Sequence, residues 1–211
     1  MAKFGLITEG ITDQIVIENI LCGFYKDYDD LDEVILPLEP PRDETDSKQA
    51  HSDFGTGWSA IFNYLSEKRF RDDVLNSEYV IIQIDTDIAE EIRCSRTESV
   101  EDIIECVIKK MVDKIDSNEA FYPKYKERII FAISVHSLEC WILPLYKSAK
   151  SEKIIGCFET LQRESKKIKV SKDYRTYNNL TQDFLKHKKL MKIIPQNSSF
   201  QIFINTLPKV I

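Results

Sequence analysis

The chain has 211 residues and a mass of 24.6 kDa, with 43% hydrophobic, 30% charged and 10% aromatic residues. This size and composition predict one hydrophobic core and exclude disordered, collagen-like, coiled-coil and disulfide-scaffold proteins. The net charge of −6 conceals two unequal parts. Residues 1–146 carry 15 Lys and Arg against 30 Asp and Glu, a net of −15, whereas residues 147–211 carry 14 against 5, a net of +9. This asymmetry is compatible with a cation site in the first part and contact with an anionic polymer in the second, but before any motif is considered it favours solvated helix faces.

The five cysteines form no Cys-x-x-Cys pair and have no histidine at zinc-ligand spacing. We expect most of them to be small core residues of a cytoplasmic protein in a reducing compartment. The longest apolar runs are far below the roughly 20 residues of a membrane span, and no signal peptide precedes the first strand. The sequence therefore predicts a soluble chain without membrane contact.

Short apolar runs alternate with amphipathic segments along the chain, which is typical of a parallel α/β sheet. The run YVIIQID is continuous and rich in β-branched residues, as expected for a strand buried on both faces. Pro37, Pro40 and Pro41 place the second strand near an edge of the sheet. The predicted strands span residues 3–8, 33–38, 79–85 and 128–135.

Each predicted strand is followed by a helical pattern. Thr12 is expected to cap the first helix and Ser137 the fourth, and Ser99 with Asp102 resembles a capping box for the third. A second helix is predicted over residues 56–69, after a polar loop. The predicted fold is a Rossmann-like α/β core over residues 1–147, with a mostly parallel four-stranded sheet flanked by helices. Residues 148–211 form a Lys-rich helical elaboration that packs on this core within a single domain.

Carboxylates follow three of the predicted strands. Glu9 ends the first strand and Asp13 lies one helical turn further on, Asp85 and Asp87 end the third, and Glu139 follows the fourth. Ligands of an open parallel sheet bind beyond the carboxyl ends of its strands, so these side chains are expected at one edge. Clustered carboxylates need a compensating cation, and hard Mg²⁺ or Mn²⁺ prefers oxygen ligands. Two such ions can support phosphodiester cleavage, whereas helix caps and solvated loops are the alternative for each motif alone.

Three motifs resemble the TOPRIM domain of topoisomerases, DnaG-type primases and overcoming-lysogenization-defect nucleases. They are TEGITD at residues 8–13, DTD at residues 85–87 and HSLECW at residues 136–141. Trp58 in FGTGW and the segment NSSFQIFINTL at residues 197–207 look like a small stand-alone bacterial TOPRIM-like family linked to phage defence. The resemblance covers about residues 3–147 well and the remainder loosely.

The resemblance implies a role for each acidic residue. Glu9 resembles the TOPRIM glutamate, a metal ligand or general acid/base, and Gly10 would let the backbone turn tightly beside it. Asp85 and Asp87 would be paired metal ligands, and Glu9 and both aspartates would act in catalysis. Asp13 would be a ligand of a second metal ion, and Glu139 with Ser137 would complete that second site.

The resemblance also implies a lysine near the scissile phosphate, for which several residues compete. We take Lys172 as the catalytic candidate, while the choice among the neighbouring lysines stays open. Tyr174 and Tyr177 lie among these basic residues, either to stack on bases or as partly buried tyrosines on the flank of the domain. The basic residues expected to bind nucleic acid are Lys166, Lys167, Lys169, Lys172 and Arg175.

The expected function is that of a Mg²⁺- or Mn²⁺-dependent endonuclease that cleaves DNA or RNA as a phage-defence effector or toxin. No ATPase domain and no topoisomerase-type tyrosine domain are present in the sequence, which argues against topoisomerase and primase activity. A non-catalytic TOPRIM-like subunit that joins an ATPase partner is the main alternative, and a homo-oligomer is compatible with either. A phosphatase is disfavoured by Glu9-Gly10, where a nucleophilic aspartate would be expected.

Overall fold

The computed structural model describes residues 2–41, 57–95, 99–147, 156–165, 168–209 and 211. Four strands alternate with helices over the first two thirds of the chain, and helices alone follow. The strands are β1 (Ala2–Ile7), β2 (Ile35–Glu39), β3 (Ser77–Asp85) and β4 (Ile129–Ser134). The helices are α1 (Ile11–Phe24), α2 (Trp58–Leu65), α3 (Lys68–Asn76), α4 (Val100–Ile115), α5 (Tyr122–Tyr125), α6 (Glu139–Ile142), α7 (Cys157–Glu164), α8 (Tyr174–Thr181), α9 (His187–Ile193) and α10 (Ser198–Thr206).

The four strands form one sheet in the order β2-β1-β3-β4, and all neighbouring strands are parallel. The predicted Rossmann-like α/β fold is therefore confirmed, and β2 lies at an edge as its prolines indicated. The chain leaves β1 toward β2 and returns to the opposite side of β1 to form β3. The sheet thus has its topological switch point between β1 and β3, where ligands of such sheets bind.

Helices cover both faces of the sheet. Helix α1 packs on one face together with α8, α9 and α10, and the buried side chains of these helices join one apolar cluster with Phe4, Leu6 and Ile81. Helices α2, α3 and α4 cover the other face over Ile82 and Ile84. Trp141 is fully buried in the first cluster, stacks on Phe200 and donates its indole N–H to Ser199 Oγ at 2.8 Å. The basic C-terminal segment is therefore part of the same hydrophobic core as the sheet.

The helix predicted over residues 56–69 is wrong in its extent, because two helices occupy this region. Helix α2 ends at Leu65 and α3 begins at Lys68. Helix α3 is highly charged and buries only Phe70, Val74 and Arg71, so its apolar stripe is narrow. Arg71 stabilises the break, since its guanidinium donates to the carbonyl oxygens of Ser66 and Glu67 and also of Ile115.

Two of the three predicted helix caps are wrong. Thr12 lies inside α1, whose N-cap is Gly10, and α6 is a four-residue helix whose N-cap is Leu138 rather than Ser137. The capping box is confirmed, because Ser99 Oγ accepts the Asp102 backbone N–H at 3.1 Å.

The cysteines correct a further expectation. Disulfides join Cys94 to Cys106 and Cys140 to Cys157, which leaves Cys22 as the free thiol. Cys94, Cys140 and Cys157 are buried, as expected, but they are bonded rather than reduced. Disulfides are typical of oxidising compartments, so the cytoplasmic location stays a prediction.

Within the part of the chain that the structure describes, no helix combines the length and the apolar character that crossing a bilayer requires.

Candidate functional site

Glu9 and Asp85 meet across the switch point of the sheet. Glu9 lies two residues beyond the end of β1, and Asp85 is the last residue of β3. The Asp85 backbone N–H donates to Glu9 Oε1 at 2.8 Å. Because β1 and β3 are adjacent and parallel, the predicted convergence of these two carboxylates at one sheet edge is realised.

Two side chains donate hydrogen bonds to the Asp85 carboxylate. Ser134 Oγ, at the end of β4, and Gln83 Nε2, at 2.9 Å, both donate to Asp85 Oδ1. Gln83 shares a face of β3 with Asp85 because alternate residues of a strand point the same way. Gln83 Oε1 is the one buried side-chain oxygen of the described residues that lacks a hydrogen bond. Neither Ser134 nor Gln83 is recognisable as a site residue from the sequence, where Gln83 looks like an interruption of an apolar strand.

Asp13 and Glu139 approach the same edge from helices. Asp13 is in the first turn of α1, and Glu139 is the first residue of α6 and only 7% exposed. The Tyr177 hydroxyl of α8 donates to Glu139 Oε1. Tyr177 is 1% exposed, so it cannot stack on a base, and its expected place on the domain flank is wrong. Sequence spacing offers no sign of this contact, since 38 residues separate the two partners.

The four carboxylates interact electrostatically, and the pKa values of three show it. Burial, opposed by the Asp85 N–H and increased by the negative charge of Asp87, raises the pKa of Glu9 to about 7. Burial and the charges of Glu9 and Glu139 raise the pKa of Asp13 to about 8. Burial and the charges of Asp13, Glu9 and Glu139 raise the pKa of Asp85 well above its usual range. The acids therefore oppose one another's ionisation, as carboxylates sharing one site do.

Lys172 is the cation that counteracts this repulsion. Its charge lowers the pKa of both Glu9 and Asp13, and its Nζ lies 5.2 Å from the centre of the Phe158 ring. Lys169 and Arg175 are exposed near it along the chain, and neither is among the main causes of the pKa shifts of Glu9, Asp13 and Asp85. Lys166 and Lys167 lie outside the described residues. The choice of Lys172 thus acquires a structural reason that the sequence could not supply.

Asp87 lies at the rim of the site. It is exposed, and its backbone N–H donates to the His136 carbonyl oxygen at 3.1 Å. The His136 N–H donates to Thr86 Oγ1 at 2.8 Å, with His136 in the left-handed region at φ 68°. These backbone bonds join the loop after β3 to the loop after β4, so the Asp85–Asp87 and His136–Glu139 segments are fixed to each other.

Of the two glycines next to Glu9, Gly10 differs from expectation and Gly57 was not predicted to matter. Gly10 adopts extended backbone at φ −163°, and a Cβ there would meet Asp13 Oδ2 at an ordinary 3.6 Å, so the expected need for a tight glycine turn is wrong. Gly57, the N-cap of α2, has φ +63°, and a Cβ on it would lie 3.3 Å from Glu9 Oε2. Gly57 is therefore the glycine that fits closely against the site.

The donor set fits a divalent cation in its chemistry. Glu9, Asp85 and Glu139 each use one oxygen to accept a hydrogen bond, whereas within the described ranges their second oxygens accept none. Oxygen ligands of this kind suit Mg²⁺ or Mn²⁺. As the side chains stand, however, no three His, Cys, Asp or Glu residues among those described are gathered closely enough to hold a metal ion. Coordination would therefore require these side chains to rotate toward one another.

No protein-family model, curated protein or solved structure matches this chain. The TOPRIM resemblance consequently rests on the sequence motifs alone, chiefly those at residues 8–13, 85–87 and 136–141. What the structure adds to those motifs is the parallel sheet and the convergence of their carboxylates.

Proposed function

We propose that the protein is a Mg²⁺- or Mn²⁺-dependent nuclease that hydrolyses phosphodiester bonds of DNA or RNA. One observation carries the proposal: Glu9, Asp13, Asp85 and Glu139 interact at the switch point of a parallel sheet, with Lys172 beside them. Carboxylates that repel one another destabilise a folded protein, and such a cluster is explained if its function is to bind a cation.

Each residue has a role in this proposal. Glu9, Asp85 and Asp87 would hold one cation, and Asp13 with Glu139 would hold a second. Bound divalent cations supply water activation and neutralise charge on a phosphodiester. Lys172 would bind a phosphate oxygen, and Glu9, with its pKa near 7, would exchange a proton at its carboxylate near neutral pH. Lys169 and Arg175 would bind neighbouring phosphates of the polymer.

The test combines metal binding with cleavage. Calorimetry with Mn²⁺ should detect binding to the purified chain, and tRNA, single-stranded DNA and duplex DNA should be assayed with Mn²⁺. Glu9→Gln and Asp85→Asn remove a charge at nearly constant shape and should each reduce cleavage by at least about 100-fold, since an unligated metal loses most of its catalytic effect. Asp72→Asn, at an exposed site on α3, is the matched control and should retain full activity. Full cleavage by both site variants would overturn the proposal.

A non-catalytic subunit is the second candidate, and the absence of a gathered metal site among the described side chains favours it. In that case the acidic cluster would be a docking site for a cationic group of an ATPase partner. Calorimetry separates the two functions, because this candidate requires that Mn²⁺ does not bind. It also requires that nucleic acid stays intact until the partner is added.

A further inference from the structure

Tyr177 connects the basic C-terminal segment to the acidic cluster. It lies in α8, whose N-cap Asp173 accepts the Thr176 backbone N–H at 2.8 Å. Its ring is buried in the core between α1 and α6, and its hydroxyl donates to Glu139 Oε1. Helix α8 follows the whole sheet in the chain, yet its Tyr177 donates a hydrogen bond to one of the four acids.

The position of α8 is itself fixed. Asn19 of α1 donates to Thr181 Oγ1 at 2.8 Å and to Asn178 Oδ1 at 3.2 Å, both on α8. Helix α1 also carries Asp13 in its first turn. These hydrogen bonds fix α8 against α1, so they also fix the position of the Tyr177 side chain relative to the helix that carries Asp13.

A single hydrogen bond of this kind decides how Glu139 can rotate. With Oε1 bound to the phenol, rotation about the last side-chain bond is restricted, and Oε2 remains the oxygen that accepts no hydrogen bond from the described residues. The charge of Glu139 raises the pKa of Glu9, Asp13 and Asp85, so this carboxylate lies near the other three. Groups that orient a metal ligand from outside the coordination shell have large effects on affinity.

We propose that Tyr177 is a positioning residue that orients Glu139 for binding a divalent cation, an inference that rests on the proposed function. A residue from the Lys-rich C-terminal segment would thereby complete the acidic site at the edge of the sheet. The competing explanation is that Tyr177 serves the core alone. Tyr177→Phe distinguishes the two, because it keeps the ring and removes only the hydroxyl.

Mn²⁺ is the probe, and its affinity is the first readout. Tyr177→Phe should weaken Mn²⁺ binding in calorimetry by about 10–100-fold and raise the Mn²⁺ concentration for half-maximal cleavage to the same extent, the effect typical of removing outer-shell hydrogen bonds. Cleavage at saturating Mn²⁺ should change much less. Tyr146→Phe is the matched control, since the Tyr146 hydroxyl donates to the Leu180 carbonyl oxygen of the same helix at 2.8 Å, away from the acids. It should leave both readouts unchanged.

A double-mutant cycle with Glu139→Gln shows whether Tyr177 acts through Glu139. In the Glu139→Gln background, Tyr177→Phe should have no further effect on Mn²⁺ affinity. An unchanged Mn²⁺ dependence in Tyr177→Phe, or an undiminished effect in the double variant, would overturn the inference while leaving the proposed function intact. If wild type binds no Mn²⁺, the proposed function fails first and the inference with it.

Should Tyr177→Phe fail to fold, Glu139→Asp takes its place. This change withdraws the carboxylate from the phenol by one methylene and preserves the charge. It should weaken Mn²⁺ binding to a similar degree, and wild-type affinity in Glu139→Asp would contradict a positioning role.

Discussion

At the scale of single residues, the acids of the site work against the stability of the metal-free protein. Asp13 has an ordinary pKa of 3.8 and a folded-state pKa of about 8. Between these two values the folded chain retains a proton that the unfolded chain has released. The contribution of Asp13 to stability therefore falls as the pH rises through this window and is most favourable at its acidic end.

Asp13→Asn should abolish part of that pH dependence. In EDTA, the variant should unfold at a higher temperature than wild type at pH 8.5, with the difference shrinking toward pH 4, because the amide has no charge to bury. The expected stabilisation at pH 8.5 is on the order of 2 kcal/mol, since Asp13 keeps some contact with solvent. Thermal unfolding across pH 4–9 measures it, with Asp72→Asn on α3 as the control. Parallel pH profiles for wild type and Asp13→Asn would contradict the assignment.

At the scale of elements, the strands could be predicted and the connections between helices could not. The run YVIIQID is apolar on both faces, which indicates a central strand without any tertiary information. Helix α3 escapes prediction because its buried residues are few and one is Arg71, whose partners are the carbonyl oxygens of Glu67, the N-cap of α3, and of Ile115, the last residue of α4. The disulfides escape it because pairing depends on which helices become neighbours, and a sequence with five cysteines permits many pairings.

Gly23 shows how packing overrides helix propensity. It lies inside α1, where alanine is intrinsically favoured by about 1 kcal/mol. A Cβ on Gly23 would, however, lie 1.8 Å from the Phe184 carbonyl oxygen, a backbone atom that cannot rotate away. We expect Gly23→Ala to destabilise the protein by roughly 1–3 kcal/mol or more in urea denaturation. Gly10→Ala, where only ordinary contacts arise, should change stability little, and equal effects of the two variants would refute the packing argument.

Each disulfide joins a residue that is close in sequence to a site acid to a neighbouring helix. Cys94 follows the Asp85–Asp87 loop and pairs with α4, and Cys140 is the neighbour of Glu139 and pairs with α7. Native protein unfolded without reductant should titrate as one thiol, Cys22, and reduced protein as five. Sequence separations of 12 and 17 correspond to about 3 kcal/mol per bridge, so reduction should lower the unfolding temperature. Five thiols in the unreduced chain would show that the bridges do not form.

At the scale of the whole molecule, the sequence shows that acidic and basic residues lie in different parts of the chain, but it does not show where these parts lie in the fold. The −15 and +9 parts fold into one core rather than two domains. Of the described basic candidates, Lys172 is the one whose charge lowers the pKa of Glu9 and Asp13. All five acidic site residues belong to motifs that the sequence displays, whereas Tyr177, Gln83 and Ser134 are joined to them only by folding.

If the basic segment binds the polymer, affinity must depend on salt through its exposed charges. In a Glu9→Gln background that prevents cleavage, duplex binding should weaken with salt, and the Lys169→Gln/Arg175→Gln pair should reduce the slope of log K against log salt by up to about 1.8, or about 0.9 for each phosphate that is no longer neutralised. The control pair is Lys68→Gln/Lys109→Gln, two exposed lysines on α3 and α4 across the sheet, with the same change in net charge. Fluorescence anisotropy between about 50 and 300 mM salt, a range that includes the physiological value, measures the slopes. If both pairs lower the slope equally, overall charge rather than the segment beside Lys172 governs binding, and the proposed binding of phosphates by Lys169 and Arg175 is wrong.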